Sequence, residues 1–465
     1  MAVSPFIYIA CDISPEHTNA AAAPFRSEFF WNPDAKTVYV HTFGCSHNIS
    51  DGETMKGVLA QGGYNITSKK EEADVWVINT CTVRDKSIQS FRTLYNEAKK
   101  TGKKLVVAGC MLEADPSLSS EFHADATLGV RQIAQIKETV DSLFFPPTHH
   151  FVSPSDEIPS LQLPKIRKDE GVEIIPISLG CLGACTFCQT RLARGKLWSY
   201  PIDEIIKRVH AAKVNGISEI WLTSEDTGAY GMDRNSSLME LLDRIRSEVE
   251  DSNVMVKIGM TNPPFLKPML EPLSTILNHK NFYSYLHIPV QSGSDAVLKR
   301  MNRKYQVSDF REICSFLSQH VPGITLSTDI IVGFPYESAE DHAKTMQLLR
   351  DLNLNIVHYS RYYPRPHTLA ARYEQLPIDV VKSRVKELSD WFKALHPYDE
   401  LVGKEMDVWV SNEKTGDYRC CHTKNYTKVL IVDSKEFAAG DVVRVKCVEA
   451  QRFHVKARIV EKNGN

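Results

Sequence analysis

Three cysteines fall close together in GCLGACTFCQT (180–190): Cys181, Cys185 and Cys188, spaced C-x3-C-x2-C. Thiolates bind metals. A structural zinc ion wants a fourth Cys or His to close its tetrahedron. The next histidine is His210, inside an expected helix, and the next cysteine is the distant Cys314. Three thiolates with one position left open suit a cubane [4Fe-4S] cluster better, since thiolates are the usual iron–sulfur ligands. The vacant iron can then take a substrate or cofactor. Gly180 and Gly183 let the backbone wrap such a cluster.

A second set is scattered: Cys45 in HTFGCSHN, Cys81 in INTCTVR and Cys110 in VAGCM. Each ends a predicted parallel strand. The carboxyl ends of such strands converge on one crevice, so the three can meet in space. Free cysteine is equally at home as a small buried hydrophobe, and the spacing leaves both readings open. Cys11, Cys314, Cys420, Cys421 and Cys447 are assigned to core or surface.

The elements that must position these residues are legible as short β-branched runs between helical segments. TVYVHTF (37–43), DVWVINT (74–80) and KLVVAGC (104–110) alternate with helices near 50–61 and 85–99, the βαβ pattern of a parallel sheet. Residues 1–35 read as loosely ordered. The proline-rich stretch 145–170 reads as a linker. Six further strands follow, beginning at EIIPISL and ending at NIVHYSRY, each but the last followed by a helix. Periodicity alone leaves a partial barrel and an open sheet equally possible. After a helix at 379–396, five short strands predict a small antiparallel barrel with a mild basic excess. The expected fold class is α/β: an N-terminal domain over 36–145, a linker over 146–170, a core over 171–398 and a barrel over 400–462.

Composition restricts the setting. The 465 residues are 43% hydrophobic and 24% charged, with a formal net charge of -2. Any nucleic-acid surface must therefore come from local patches. Eleven unevenly spaced cysteines fit metal ligands or core residues in a reducing compartment, not a disulfide scaffold. No run of ~18 apolar residues suggests a membrane span. The N-terminus lacks the basic region of a signal peptide, and the chain stops at GluLysAsnGlyAsn. A soluble, cytoplasmic protein is expected.

The C-x3-C-x2-C triplet after the first strand of a βα series resembles the radical S-adenosylmethionine (SAM) superfamily. ISLGCLGACTFCQTRLARGKLWSYP, TSEDTGAYG (223–231), MTNPP (260–264), HIPVQSGSDAVLKRMNRKY (287–305), TDIIVGFPYE (328–337) and YPRPHTLAAR (363–372) narrow the match. Over roughly 37–460 the chain is similar to the tRNA methylthiotransferases, and within them to the eukaryotic and archaeal threonylcarbamoyladenosine branch. The resemblance implies a partial (β/α)6 radical SAM barrel and a C-terminal RNA-binding TRAM domain. It implies two [4Fe-4S] clusters, one on Cys181, Cys185 and Cys188 and one on Cys45, Cys81 and Cys110. It implies a transferase of sulfur-containing groups that converts N6-threonylcarbamoyladenosine at position 37 of tRNA to its 2-methylthio derivative, consuming two SAM molecules. The target carbon is an unactivated aromatic C–H, so the cofactors carry the hard step and no catalytic side chain is expected.

SAM contacts are expected at the strand ends. Ser224, Glu225 and Asp226 follow the second barrel strand, although a charged pair in a loop is also commonly just solvated. Gln291, Ser292 and Gly293 follow the fourth, where a plain helix N-cap is the competing reading. Asp329, Gly333 and Phe334 belong to the fifth strand and its exit. Arg300, Arg303 and Lys304 form a basic cluster that can meet the SAM carboxylate, an RNA phosphate or only solvent; Arg303 is carried forward as a cofactor contact. Arg361, Arg365 and Arg372 stand among tyrosines, RLARGK (191–196) adds three cations, and HTKNYTKV (422–429) contributes Lys424 and Lys428. These are the expected tRNA contacts, cationic and aromatic together, for an anticodon loop.

The chain departs from the family text at Leu192, where relatives often have His, at His367-Thr368-Leu369, where Gly-Thr-Pro is common, and at Thr82–Asp85 after Cys81. A monomer is expected, with electron donor and sulfur source unidentified. Competing readings are a methylthiotransferase on isopentenyl-adenosine tRNA or a ribosomal protein, and a non-catalytic iron–sulfur protein that binds RNA.

Overall fold

Valine and isoleucine fill the strands Thr37–Thr42, Val75–Thr80 and Lys104–Gly109, which pair in parallel at the centre of a five-stranded sheet. The structure, a computed structural model, describes residues 32–82, 85–144, 157–432 and 437–462. Cys11, most of the N-terminal stretch expected to be loosely ordered, Val83 and Arg84, and residues 145–156 of the expected linker lie outside them. Val38, Val40, Val75, Val77 and Val106 pack one face of the sheet against Met55 and Leu59 of the helix Ser46–Gln61. Trp76, Ile78, Leu105 and Val107 pack the other face against Phe91 and Tyr95. Burial on both faces is why these runs are continuously apolar and do not alternate. The edge strands Asn65–Thr67 and Ala126–Leu128 are too short to show a period, and the sequence reading missed them. Parallel pairing sets Thr42 beside Asn79 and Thr80 beside Gly109, so three strand ends lie in a row.

Six parallel strands make the central unit: Val172–Pro176, Glu219–Thr223, Met255–Lys257, Tyr285–His287, Thr325–Val332 and Ile356–Arg361. They run in sequence order as two three-stranded sheets. The Val256–Phe282 bridge and the bond from Thr261 N–H to the His287 carbonyl join the two halves. Among the described residues no pairing closes the first strand onto the last, so this is a partial barrel. Leu286, Ile288, Val290, Leu326, Ile330 and Val332 join the large core beneath the covering helices. By the two-residue alternation of a strand, His287, Pro289, Ser327 and Asp329 face the lumen.

Residues 405–462 form a closed five-stranded barrel. It is antiparallel except where Lys428–Val432 runs parallel to Val455–Lys462. Cys421 and Cys447 lie in its core, and Cys314 in the core of the central unit, as expected. The barrel is docked firmly: Tyr426 packs 4.7 Å from Tyr283, and Lys257 Nζ sits 4.1 Å over the Tyr426 ring. The described part of the expected linker is a strap, not a free tether. Lys165 donates to Ser50 Oγ at 2.9 Å and Ile166 N–H to the Glu53 carbonyl at 3.0 Å, both on the helix Ser46–Gln61. Among the described residues no helix is long and apolar enough to cross a membrane.

Candidate active site

The three central strands of the N-terminal sheet end at Cys45, Cys81 and Cys110. Cys45 sits at the N-cap of the helix Ser46–Gln61, and Cys110 opens the short helix Cys110–Ala114. Gly44 has φ +110, and a Cβ there would lie 2.7 Å from Cys81 Sγ, so only glycine lets these two turns meet. Asn48, fully buried, ties the turns together. Its Nδ2 donates to the Phe43 and Thr80 carbonyls at 2.9 and 2.7 Å, and Cys110 Sγ donates to its Oδ1 at 3.3 Å. Convergence, and not three separate burials, is the arrangement found.

The second triplet lies on the loop after the strand Ser178–Leu179. Each sulfur has one N–H donor: Gly183 N to Cys181, Arg303 Nη1 to Cys185 and Thr190 N to Cys188, all at 3.3 Å. Such donors stabilise thiolate over thiol. Arg303 is fixed in turn, its Nε donating to Tyr305 Oη at 3.0 Å and its Nη2 to the Pro289 carbonyl at 2.8 Å. A cavity of about 730 Å³, within the range of small-molecule sites, opens beside Cys181, Cys185 and Cys188 and is rimmed by Arg191, Lys299 and Arg300.

Between the triplets runs a buried ionic network. Arg194 Nη2 donates to Asn48 Oδ1 and to Asp51 Oδ2, both at 2.6 Å, and its Nε lies 3.2 Å from Glu225 Oε1. His47 Nδ1 lies 3.1 Å from the same Glu225 oxygen. Nε2 of His47 and Nη1 of Arg194 are buried without a hydrogen-bond partner. Buried polar atoms left unsatisfied mark a place where something else belongs.

The donor set fits an iron–sulfur cluster. Tetrahedral zinc with Zn–S of about 2.3 Å holds its sulfurs roughly 3.8 Å apart. Among the described residues neither cysteine triplet brings its sulfurs within 4.8 Å of one another, so each trio spans something larger than one ion. Burial pushes the Cys181 thiol up to about 12. Cys110 and Cys188 are raised by burial as well. Such thiols stay protonated at neutral pH until a metal replaces the proton.

The expected SAM residues divide. Asp226 faces Cys181; burial pushes its carboxyl up to about 6, against donors from the Asn262 side chain (2.6 Å) and backbone (3.2 Å). Asn262 also accepts from Arg303, which links Asp226 to Cys185. Gln291 is buried with φ 72, a strained conformation for a non-glycine residue. Ser224 Oγ accepts from the Asp226 N–H. Glu225 belongs to the ionic network. Ser292 and Gly293 are corrected: Ser292 is fully buried and Gly293 N–H donates to Thr345 Oγ1 at 2.9 Å, so both serve packing against the helix Ala339–Leu352. Gly333 is corrected likewise: its N–H donates to Glu337, and a Cβ would strike Val381. Phe334 is buried beside Phe187 and Tyr362. Asp329 pairs with His287 at 2.9 Å.

The expected tRNA residues divide too. Arg361 stacks 4.3 Å over Tyr363, and Arg372 is exposed. Lys428 is half-buried and pairs with Glu413 at 2.8 Å. Arg365 donates to the Thr82 carbonyl at 2.5 Å, beside Cys81. Lys424 is corrected: its ammonium donates to the Leu277 and Phe282 carbonyls and to Ser284 Oγ, which fastens the C-terminal barrel to the core and leaves no donor aimed outward. Arg194 of RLARGK is buried in the network, not offered to RNA. Leu192 is exposed on the cavity rim, and His367 Nε2 meets Asp115 Oδ1 at 3.0 Å. The sequence reading missed Asn48, Asp51, His47 and Asn262; three of them lie in quoted motifs, His47 and Asn48 beside Cys45 and Asn262 in MTNPP, where a polar residue in a motif was the available signal.

Comparison with known proteins agrees with this architecture. Residues 37–129 match Uncharacterized protein family UPF0004, and residues 175–349 match the Radical SAM superfamily. The threonylcarbamoyladenosine tRNA methylthiotransferase of Danio rerio is 42% identical over 92% of this chain and 79% of its own length. That of Homo sapiens is 41% identical over 92% of this chain and 75% of its own. A probable threonylcarbamoyladenosine tRNA methylthiotransferase of Pyrococcus horikoshii is 35% identical over 86% and 94%. The radical S-adenosylmethionine methyltransferase TsrM of Kitasatospora setae shares the fold at TM-score 0.54 and 11% identity, over 82% of this chain and 79% of that one. Sequence, cysteine geometry and fold together show that the chain belongs to the threonylcarbamoyladenosine tRNA methylthiotransferase family.

Proposed function

We propose that this chain converts N6-threonylcarbamoyladenosine at position 37 of tRNA to its 2-methylthio derivative. Cys181, Cys185 and Cys188 would hold one [4Fe-4S] cluster, beside which SAM would bind, and Cys45, Cys81 and Cys110 would hold a second. The observation that carries this reading is the pair of thiolate triplets from two separate units, clasped around one ionic network. When bound, the clusters and SAM supply the radical and sulfur chemistry that an unactivated aromatic C–H requires.

The chain's own residues bind and orient. Arg303 and two backbone N–H groups donate to the three sulfurs of the second triplet and orient them for a metal to replace their protons. Asp226, kept in place by Asn262, offers a carboxylate suited to the SAM amine, and Gln291 is posed on the next strand end. Arg194 and Glu225 fix how far the two triplets stand apart. Arg191, Lys299 and Arg300 give the cavity a cationic rim, Arg361 over Tyr363 adds a stacked cation, and Arg372 adds an exposed one. An anticodon-loop base is single-stranded, so turning it into the site costs only a few kcal/mol. Both triplets come from one chain, which supports a monomer. Reduced thiolates and a tRNA substrate both suit the cytoplasm.

The test is nucleoside mass spectrometry. Anaerobically reconstituted enzyme, SAM, reductant and sulfide are incubated with tRNA bearing threonylcarbamoyladenosine. A methylthio product on that nucleoside is expected. Product on isopentenyl-adenosine tRNA alone, or on neither, overturns the reading.

A further inference from the structure

A further set of side chains able to bind a metal lies in the lumen of the partial barrel. His287, Asp329 and His358 stand on three adjacent strands, and their ligand atoms all lie within 4.8 Å of one another. Strand register sets Asp329 directly beside His358, and His287 Nε2 is 2.9 Å from Asp329 Oδ1. The two imidazole rings are 5.5 Å apart and tilted at 60°. Among the described residues no lysine or arginine pairs with Asp329, although its side chain is two-thirds covered (33% exposed). A half-buried carboxylate flanked by two imidazoles and no fixed cation is short of positive charge.

We propose that His287, Asp329 and His358 form a third metal site, which binds one divalent first-row transition ion independently of the two cysteine triplets. Two imidazoles and one carboxylate on one face are a donor set for zinc or ferrous iron that leaves positions open. Here those positions face the lumen, where an oxygen donor such as a carboxylate can complete the shell. His358 is exposed on the edge strand, which gives the ion its entry path. No thiolate takes part, so the site is chemically distinct from the iron–sulfur ligands and does not depend on the proposed reaction.

The test loads the reconstituted holoprotein, its cysteines already occupied by iron, with a small excess of zinc. Zinc and iron are then counted by plasma mass spectrometry after desalting. About one zinc per chain is expected on top of unchanged iron. His358→Ala and His287→Gln should each lower zinc affinity at least about tenfold while iron stays constant, which also shows that the variants are folded. Zinc should raise the thermal midpoint of the unaltered protein and not that of His358→Ala. Absence of zinc from the iron-replete protein, or full zinc retention in both His358→Ala and His287→Gln, overturns the proposal.

Discussion

Arg194 Nη2 lies 2.6 Å from Asp51 Oδ2, and that contact crosses from the helix following the second cysteine triplet to the helix that begins at the first. Both side chains are almost fully buried. A guanidinium cannot neutralise itself by losing its proton, so its carboxylate partners are what makes its burial tolerable. Asp51→Asn leaves Glu225 as the remaining carboxylate paired with Arg194 among the described residues. Breaking one side of such a pair costs about 3 kcal/mol, read as a lower urea midpoint. An unchanged midpoint would show that the network carries no stability.

Glu173 tests electrostatics on the strap. Burial alone would raise its carboxyl, but Lys165, Arg208 and Arg167 more than offset that and hold it down to about 2. The folded value lies below the ordinary one, so the stabilisation is complete above about pH 4.5 and fades as pH falls towards 2. A shift of that size is worth about 3 kcal/mol. Glu173→Gln should lose about that much at pH 7, and the gap should narrow below about pH 4.5. An equal gap at pH 7 and pH 3 would contradict the assignment.

Lys424 and Arg372 look alike in sequence and should behave differently. Arg372→Ala is expected to weaken tRNA binding and to lower the slope of log K against log salt by about 1. Lys424→Ala should leave that slope alone and lower the thermal midpoint, because its ammonium bonds only to the core. A salt slope lowered by Lys424→Ala would return it to the RNA surface.

Much of this was legible before any coordinates. The central strands and the main helices follow from β-branched runs and helical periods, and the grouping of Cys181, Cys185 and Cys188 from their spacing; the partial barrel and the grouping of Cys45, Cys81 and Cys110 come from the family resemblance, because neither periodicity nor spacing decides them. What the sequence hid has physical causes. Strands of three residues, such as Asn65–Thr67, carry too little pattern. Arg194 and Lys424 read as surface cations because charge in a basic run gives no sign of burial; only tertiary contacts show the buried acid or carbonyls that hold them. Ser292, Gly293 and Gly333 sit at strand ends where cofactor contacts are expected, yet helix packing takes their polar groups. His287, Asp329 and His358 are too far apart in sequence for any spacing rule to join them.

The two triplets should separate by function. Cys185→Ala is expected to reduce reductive SAM cleavage to background. Cys81→Ala should leave cleavage in place and stop methylthiolation. Cleavage that survives Cys185→Ala would remove SAM from the second triplet.

Iron stoichiometry addresses the two-cluster claim most directly. Anaerobically reconstituted protein should hold about eight irons per chain. Replacing Cys45, Cys81 and Cys110 by alanine should leave about four, and so should replacing Cys181, Cys185 and Cys188. Four or fewer irons in the unaltered chain, or eight in either triple variant, would contradict it.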